Sequence, residues 1–514
     1  MYERNKMKQL YGFCDKAIKI IYLVIGTMLL FLSLTNLLFV SQDKTVPMEY
    51  TVPPIKYYIL FVLMVIVLTA LKDILDKIPE RVLFAVCTAI YIAAALYLIL
   101  NINSNLRSDQ RDVYDAAINI NHGILFNLEK GGELFRYPNN LGITTFYRLL
   151  TKIRQSTRLI FLVNLLFALT TNWLLYRFAD LIFDGNGTVN RYTILFAFMS
   201  VPHFFFIVFA YGNIPGFTCV IAMVYAVAKI IREPDLKIGP AIVYGPAVAV
   251  CAAAAVLFKS NYMIAIVAVA IVLFMQFLQN KKIVNIILIA VVALSAVVPQ
   301  KVLVNYYEDM VGIDIEGTPE ILWVAMGLQG DEYPGWYNGF NSDTYGSTDF
   351  DREASAQIGE AALIERIEYF RENPEYAKGF FLRKIVSTWC EPTYQSVQIG
   401  PRGTEGRQNI DHPVFKNLYT GGSLHRIVYA VCWSVAVCIY AFSLIGQIGL
   451  ITRKNSNNAV LFPLLFLIGG FLFHLIWETK SQYVYAYCLC IVPFAAKGMA
   501  DFSGYISGKI KSLK

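Results

Sequence analysis

The chain has 514 residues, 56% of them hydrophobic and 16% charged, with a mean hydropathy of +0.51, where a soluble domain is about 25% charged. A single soluble core stops growing near about 250–300 residues, so the remaining solvent for this apolar excess is lipid; 14% aromatic residues and 33 glycines exclude disordered, coiled-coil and collagen-like chains. The net charge of +7 is scattered along the chain, which points to loop charge beside a membrane and away from a nucleic-acid-binding patch.

The basic start, MYERNKMKQLYGFCDK, leads into an apolar run from Ile20 to Val40. That run is too long for a signal-peptide core and has no small-residue cleavage site, so it reads as a retained first helix. A helical crossing takes about 20 residues. By apolar length and flanking charge the crossings are expected at 20–40, 56–71, 82–100, 158–182, 192–211, 214–231, 239–257, 262–279, 283–299, 427–450, 459–477 and 483–498. Basic residues in the short loops (Arg4, Lys6, Lys8, Lys16; Lys72, Lys77, Arg81; Arg232, Lys237; Lys281, Lys282; Arg453, Lys454; Lys497, Lys509, Lys511, Lys514) then fall on one side, which the positive-inside rule makes cytoplasmic. Both termini are inside on this reading.

The expected fold is an all-α polytopic membrane protein with about twelve transmembrane helices and a mixed helical and irregular extracytoplasmic region. It divides into an N-terminal transmembrane hairpin (1–81), a membrane core (82–300) with a first extracytoplasmic loop (101–157), an extracytoplasmic region (301–426) and C-terminal transmembrane helices (427–514). Within the region an amphipathic helix is expected from Asp351 to Arg371, with Ile358, Ala362, Ile364 and Ile367 on its apolar side, and a second from Pro374 to Trp389. Cys87, Cys219, Cys251, Cys432, Cys438, Cys488 and Cys490 lie in apolar runs and read as small buried hydrophobes. Neither a disulfide framework nor a zinc site is expected.

Chemistry concentrates in the outer loops. The first holds SNLRSDQRDVYDAAINI, then GGELFRYPNNLGITTFYRLL. If 112–120 is helical, Asp112, Asp115 and Asn119 share a face; a solvated loop whose charges pair among themselves is the other reading. Asp109-Gln110, Tyr114, Ala116-Ala117 and Tyr137-Pro138 resemble the first outer loop of the GT-C superfamily of membrane glycosyltransferases, to which protein O-mannosyltransferases and the lipid A aminoarabinose transferase belong. The chain departs from that pattern at Gln110, where a second acid is common, and in having three crossings before the loop where one is usual. Tyr211-Gly212-Asn213, Lys259-Ser260-Asn261, Trp389-Cys390-Glu391-Pro392 and Trp477-Glu478-Thr479-Lys480-Ser481-Gln482-Tyr483 are similar to segments of bacterial members, and all fall on the side of Asp109.

The resemblance implies a GT-C-like enzyme of a bacterial cytoplasmic membrane that moves a sugar, with inversion, from a polyprenyl-phosphate donor to an extracytoplasmic glycan, teichoic acid, lipid or protein. Asp109 is the expected base, and Lys259, Lys480 and Arg111 are expected to receive the leaving phosphate. Each lysine alone also fits a residue snorkelling at a helix end. Asp112, Tyr137, Tyr211, Asn213, Asn261, Glu391, Glu478 and Tyr483 are the expected substrate contacts. Trp336, Tyr337 and Trp389 are candidates to stack on a sugar, and His122 to contact the acceptor; His203 and His474 read as packed core histidines. No tightly held metal is expected, although Asp109 and Asp112 could share Mg²⁺ or Mn²⁺ with the donor phosphate. Nucleic acid is not an expected partner. Two alternatives stay open: a polysaccharide polymerase or ligase using a lipid-diphosphate oligosaccharide, and a lipid or solute transporter.

Overall fold

In lipid every backbone amide must find its partner inside the protein, and an apolar run achieves that on its own only as a helix. The computed structural model describes residues 2–40, 48–103, 105–232, 238–400, 412–451 and 457–512. Among these, nine helices are long and apolar enough to cross a membrane: Lys6–Thr35, Glu80–Asn101, Thr157–Ile182, Asn213–Arg232, Gly239–Phe258, Ser260–Asn280, Val284–Val311, Ser423–Ile448 and Asn458–Ile476. Gly187–Met199 with Val201–Val208, and Ser481–Cys490 with Val492–Lys509, qualify only as pairs bent by 50°, giving up to eleven. Ile55–Ala70 is apolar but only 16 residues long. The chain is therefore a mostly helical, multi-pass membrane protein.

Local chemistry explains where the helices depart from the expected runs. Pro202 and Pro493 stand at the start of the second half of each bent pair, where a missing N–H does no harm but continuation of the first half is blocked. The expected first crossing, 20–40, is corrected at its end. The helix stops at Thr35, and Leu37–Val40 is a strand paired antiparallel with Met48–Thr51, so the described chain is not all-α. Val40 N–H donates to Tyr429 OH (3.0 Å) and Leu38 N–H to Cys390 O (3.4 Å), which supplies the backbone partners a helix would have provided. The expected crossing 283–299 is also extended: Pro299 sits inside a continuous helix, Val284–Val311.

Close packing in the bundle uses small residues. A Cβ on Gly498 would sit 1.9 Å from Phe442 O and one on Gly446 2.3 Å from Phe494 O, so Ser423–Ile448 and Val492–Ser512 cross backbone to backbone. The expected divisions at 81/82, 300/301 and 426/427 all fall inside helices, namely Glu80–Asn101, Val284–Val311 and Ser423–Ile448.

The described residues of segments 102–157 and 312–425 form one layer at one end of the bundle. Lys130 pairs with Asp349 (2.6 Å), Thr318 N–H and Oγ1 both donate to Arg136 O (2.9 Å), and Phe135 stacks on Tyr345. At the other end Arg191 Nε donates to Ile78 O (2.8 Å) and Thr188 Oγ1 to Asp76 (2.8 Å). Of the basic residues behind the expected orientation, Lys237, Arg453, Lys454 and Lys514 lie outside the described residues, as do the Arg4 and Lys511 side chains.

The helix expected at Asp351–Arg371 forms as Arg352–Glu372, capped by the Asp351 carboxylate, which accepts from Ala354 N–H. Its packed face is a correction. Ser355 and Gly359 are buried, whereas Ile358, Ile364 and Ile367 are exposed. Gly359 allows that approach, since its Cβ would lie 2.8 Å from the Leu322 side chain.

Candidate functional site

Four breaks between helices bring the site together. Ser108, at φ +50°, turns the chain into the helix Asp109–Asn121, whose first turn holds Asp109 and Asp112, where a helix favours anions. Gln110 is buried; its Oε1 accepts from Ala210 N–H and its Nε2 donates to Ile399 O, both at 2.9 Å. A carboxylate could accept but not donate, so the amide at 110 is a tie between three segments.

The second break, Tyr211-Gly212-Asn213, requires glycine because a Cβ at 212 would lie 1.7 Å from Phe258 O. That approach sets Asn213 beside the third break, Lys259, an extended residue between Ile238–Phe258 and the turn Ser260–Tyr262. Lys259 Nζ donates to Asn213 Oδ1 (2.9 Å), while Tyr262 and Tyr485 hydroxyls donate to Asn213 O. In the fourth, Trp477–Ser481, Thr479 N–H donates to Gly335 O (2.8 Å) and ties the segment to the loop layer.

These residues close a ring of contacts. Tyr211 OH donates to Asn140 Oδ1 (2.6 Å), and Lys259 Nζ lies over the rings of Tyr211 (5.0 Å) and Tyr483 (5.2 Å). Lys480 and Tyr483 both favour the charged form of Glu478, and Lys480 Nζ lies over Tyr337 (5.4 Å). The Tyr337 and Tyr137 hydroxyls are neighbours, and Asn140 N–H donates to Tyr137 O (3.0 Å). Asp109 is solvent-exposed and acts electrostatically on Lys259, Glu478, Tyr211 and Glu133 at once. The ring brings together Lys259, Lys480, Tyr137, Tyr211, Asn213, Glu478 and Tyr483, expected at widely spaced points of the sequence, and Asp109 reaches it through its charge.

Burial dominates the electrostatics. It lowers the Lys259 ammonium to about 8, against the opposing pull of Asp109 and Glu478. It raises the Glu478 carboxyl, although Lys480 and Tyr483 favour the charged form, and Glu478 Oε1 is buried without a hydrogen-bond partner among the described residues. It raises Glu133 to about 7, against Arg136 at 3.0 Å, with Asp112 and Asp109 adding to the rise. Asp112 is raised by burial, then by Asp109 and Asp115.

Other expected residues fall elsewhere. Arg111 turns along its helix to pair with Asp115 (3.3 Å), both exposed. Glu391 is fully buried and its carboxylate accepts from Thr393 N–H and Oγ1, Gln395 N–H, Tyr429 OH and Ser481 Oγ. That carboxylate is a knot for the loop around it, with no face left for a sugar. Asn261 lies in the turn after Lys259, beside the ring. Trp336 and Trp389 are buried, the first donating to Ser387 Oγ (3.3 Å), while Tyr337 is 44% exposed. His122 is exposed at the end of Asp109–Asn121, and His203 and His474 are buried.

Sequence reasoning missed Arg107, which donates to Gln398 O (3.3 Å) and is coupled to Asp109, and Lys384, which is buried and donates to Gly327, Leu475 and Trp477 carbonyls. Burial lowers Lys384 to about 7. It also missed Asn140, Glu133 and Arg136. The Tyr-Pro of Tyr137-Pro138 was the one available signal, since these residues flank it.

An apolar groove of about 350 Å³ adjoins the ring, lined by Gly142, Thr145, Leu257, Pro299, Val302, Leu303 and Tyr306. Leu257 is two residues before Lys259, and a neighbouring depression reaches Pro138 and Asn139. Val302 and Tyr306 are 62% and 50% exposed at its lip. Among the described residues no three His, Cys, Asp or Glu side chains gather as a metal-binding group. No family model and no curated protein matches the chain.

Proposed function

We propose that the protein is an inverting membrane glycosyltransferase of the GT-C type that takes a sugar from a polyprenyl-phosphate donor on the extracytoplasmic face of a bacterial cell membrane. The observation that carries the reading is Asp109, an exposed carboxylate whose charge acts on Lys259 and Glu478, members of a cluster that holds two lysines and borders an apolar groove.

The chemistry follows from those charges. Asp109 takes the proton of the acceptor hydroxyl as its oxygen attacks the anomeric carbon through an oxocarbenium-like state. The anomeric C–O bond to phosphate breaks, and polyprenyl phosphate leaves with the electron pair. Lys259 and Lys480 stabilise the developing charge. At about 4 Å each such pairing is worth about 1 kcal/mol in water and about 4 kcal/mol near a protein surface. Phosphate is a good leaving group, so no general acid is required. The groove beside Leu257 is suited to the first isoprene units of the donor, since it is apolar, opens at Val302 and Tyr306 and runs along membrane-length helices. The twelve-crossing topology with both termini inside belongs to the same proposal.

The test is transfer from a radiolabelled polyprenyl-phosphate sugar by the purified full-length chain, in parallel with a lipid-diphosphate oligosaccharide. Transfer from the monophosphate donor supports the reading. Activity with the diphosphate donor alone overturns it in favour of a polymerase or ligase. Addition of EDTA in the same assay tests the further expectation that no resident Mg²⁺ or Mn²⁺ is needed.

A further inference from the structure

One face of the ring is left over once the lysines and the groove are given to the donor. Tyr337 is 44% exposed, yet held: its hydroxyl meets Ser342 Oγ (3.1 Å) and Lys480 covers one side of its ring at 5.4 Å. Its hydroxyl neighbour, Tyr137, is fixed by Trp323, edge-on at 5.8 Å, and by Arg136 over its ring at 5.3 Å. An exposed aromatic ring that cannot swing away is a platform, because stacking on it costs little side-chain entropy.

Beyond the tyrosines the edge is acidic. Asp109, Asp112 and Glu133 share one field, each disfavouring charge on the next. The nearby guanidinium groups are engaged, Arg136 by Glu133 and Arg111 by Asp115. Such an edge accepts hydrogen bonds from hydroxyls and repels phosphate or carboxylate polymers.

We propose that this face, Tyr337 and Tyr137 with the Asp112–Glu133 edge, is the acceptor subsite and binds a neutral carbohydrate. The acceptor ring lies on the open side of Tyr337, donates hydroxyls to Asp112 and Glu133, and presents one hydroxyl to Asp109. The inference rests on the glycosyltransferase reading and narrows its acceptor to a glycan.

Saturation-transfer NMR on the purified full-length protein tests it. The probes are neutral tri- to hexasaccharides of glucose, galactose, mannose and N-acetylglucosamine, a glycerol-phosphate oligomer, and a Ser/Thr-containing peptide. The expected result is binding of a neutral oligosaccharide that Tyr337→Phe retains and Tyr337→Ala weakens about tenfold. Binding of the phosphate oligomer or peptide in its place, equal binding by Tyr337→Ala, or no binding by any neutral oligosaccharide overturns the inference. Polyprenyl phosphate binding by wild type is measured separately. If it binds and the oligosaccharides do not, the acceptor inference fails while the donor reading stands. Tyr337-dependent oligosaccharide binding without polyprenyl phosphate binding supports the subsite and removes the donor reading.

Discussion

Lys259 Nζ donates a 2.9 Å hydrogen bond to Asn213 Oδ1, joining the ends of two membrane-length helices. Burial holds this ammonium at about 8, below its ordinary 10.5. It is charged below pH 8 and loses its charge as pH rises through that value, so kcat/KM is expected to fall above about pH 8. Folding responds with the opposite sign. Between 8 and 10.5 the unfolded chain keeps a proton that the folded chain has lost, so stability rises with pH in that window. Lys259→Arg, whose guanidinium does not titrate there, is expected to hold kcat/KM flat past pH 8. A parallel fall in wild type and variant would show that another group sets the limb.

Gln110→Glu tests the amide tie. The new carboxylate cannot donate to Ile399 O, which leaves a half-buried carbonyl without this partner and places negative charge against it. A loss of about 1–3 kcal/mol is expected, read as a lower Tm. An unchanged Tm would mean that a second acid is tolerated at this position.

Glu391 and Glu478 are expected to separate as scaffold and site. Glu391→Ala strips the acceptor from five donors and should cost more than about 3 kcal/mol of stability. Glu478→Gln should keep the Tm within a few degrees, lower transfer about tenfold, and move the alkaline limb of kcat/KM to lower pH, because Lys259 loses a supporting negative charge. An unmoved limb would place Glu478 outside the electrostatics of the site.

Much of the bundle was legible because lipid leaves few options: long apolar runs must be helices, although the bends at Pro202 and Pro493 were not read from the sequence. Leu37–Val40 was misread because its apolar run continues the first helix, while its backbone partners, Tyr429 and Cys390, lie far along the chain. Asp109, Lys259 and Lys480, the proposed base and phosphate-binding cations, stand out in the sequence by local pattern and by the side of the membrane expected for them. Whether a charged residue is free or spent depends on contacts across hundreds of residues. Glu391, which looked like a sugar contact, is consumed by Tyr429 and Ser481, and Arg111 by its neighbour Asp115. Arg107 and Lys384 carry no local signature, since their importance comes from burial and from carbonyls supplied by distant segments.

Gly212→Ala probes the approach that seats Asn213. Its Cβ would lie 1.7 Å from Phe258 O, a backbone atom that cannot rotate away. The 211–213 segment must shift, separating Asn213 from Lys259, and transfer is expected to drop at least about 100-fold, since small misplacements at a reacting site have costs of that order. Wild-type activity in the variant would show that the Lys259–Asn213 contact is dispensable.

In the proposed mechanism Asp109 removes the acceptor proton. Sugar transfer from a radiolabelled polyprenyl-phosphate donor by wild type and Asp109→Asn measures it directly. A fall in kcat of about 100-fold or more is expected, with donor affinity retained and the Tm unchanged, because Asp109 is exposed. Equal kcat in the two proteins would contradict it.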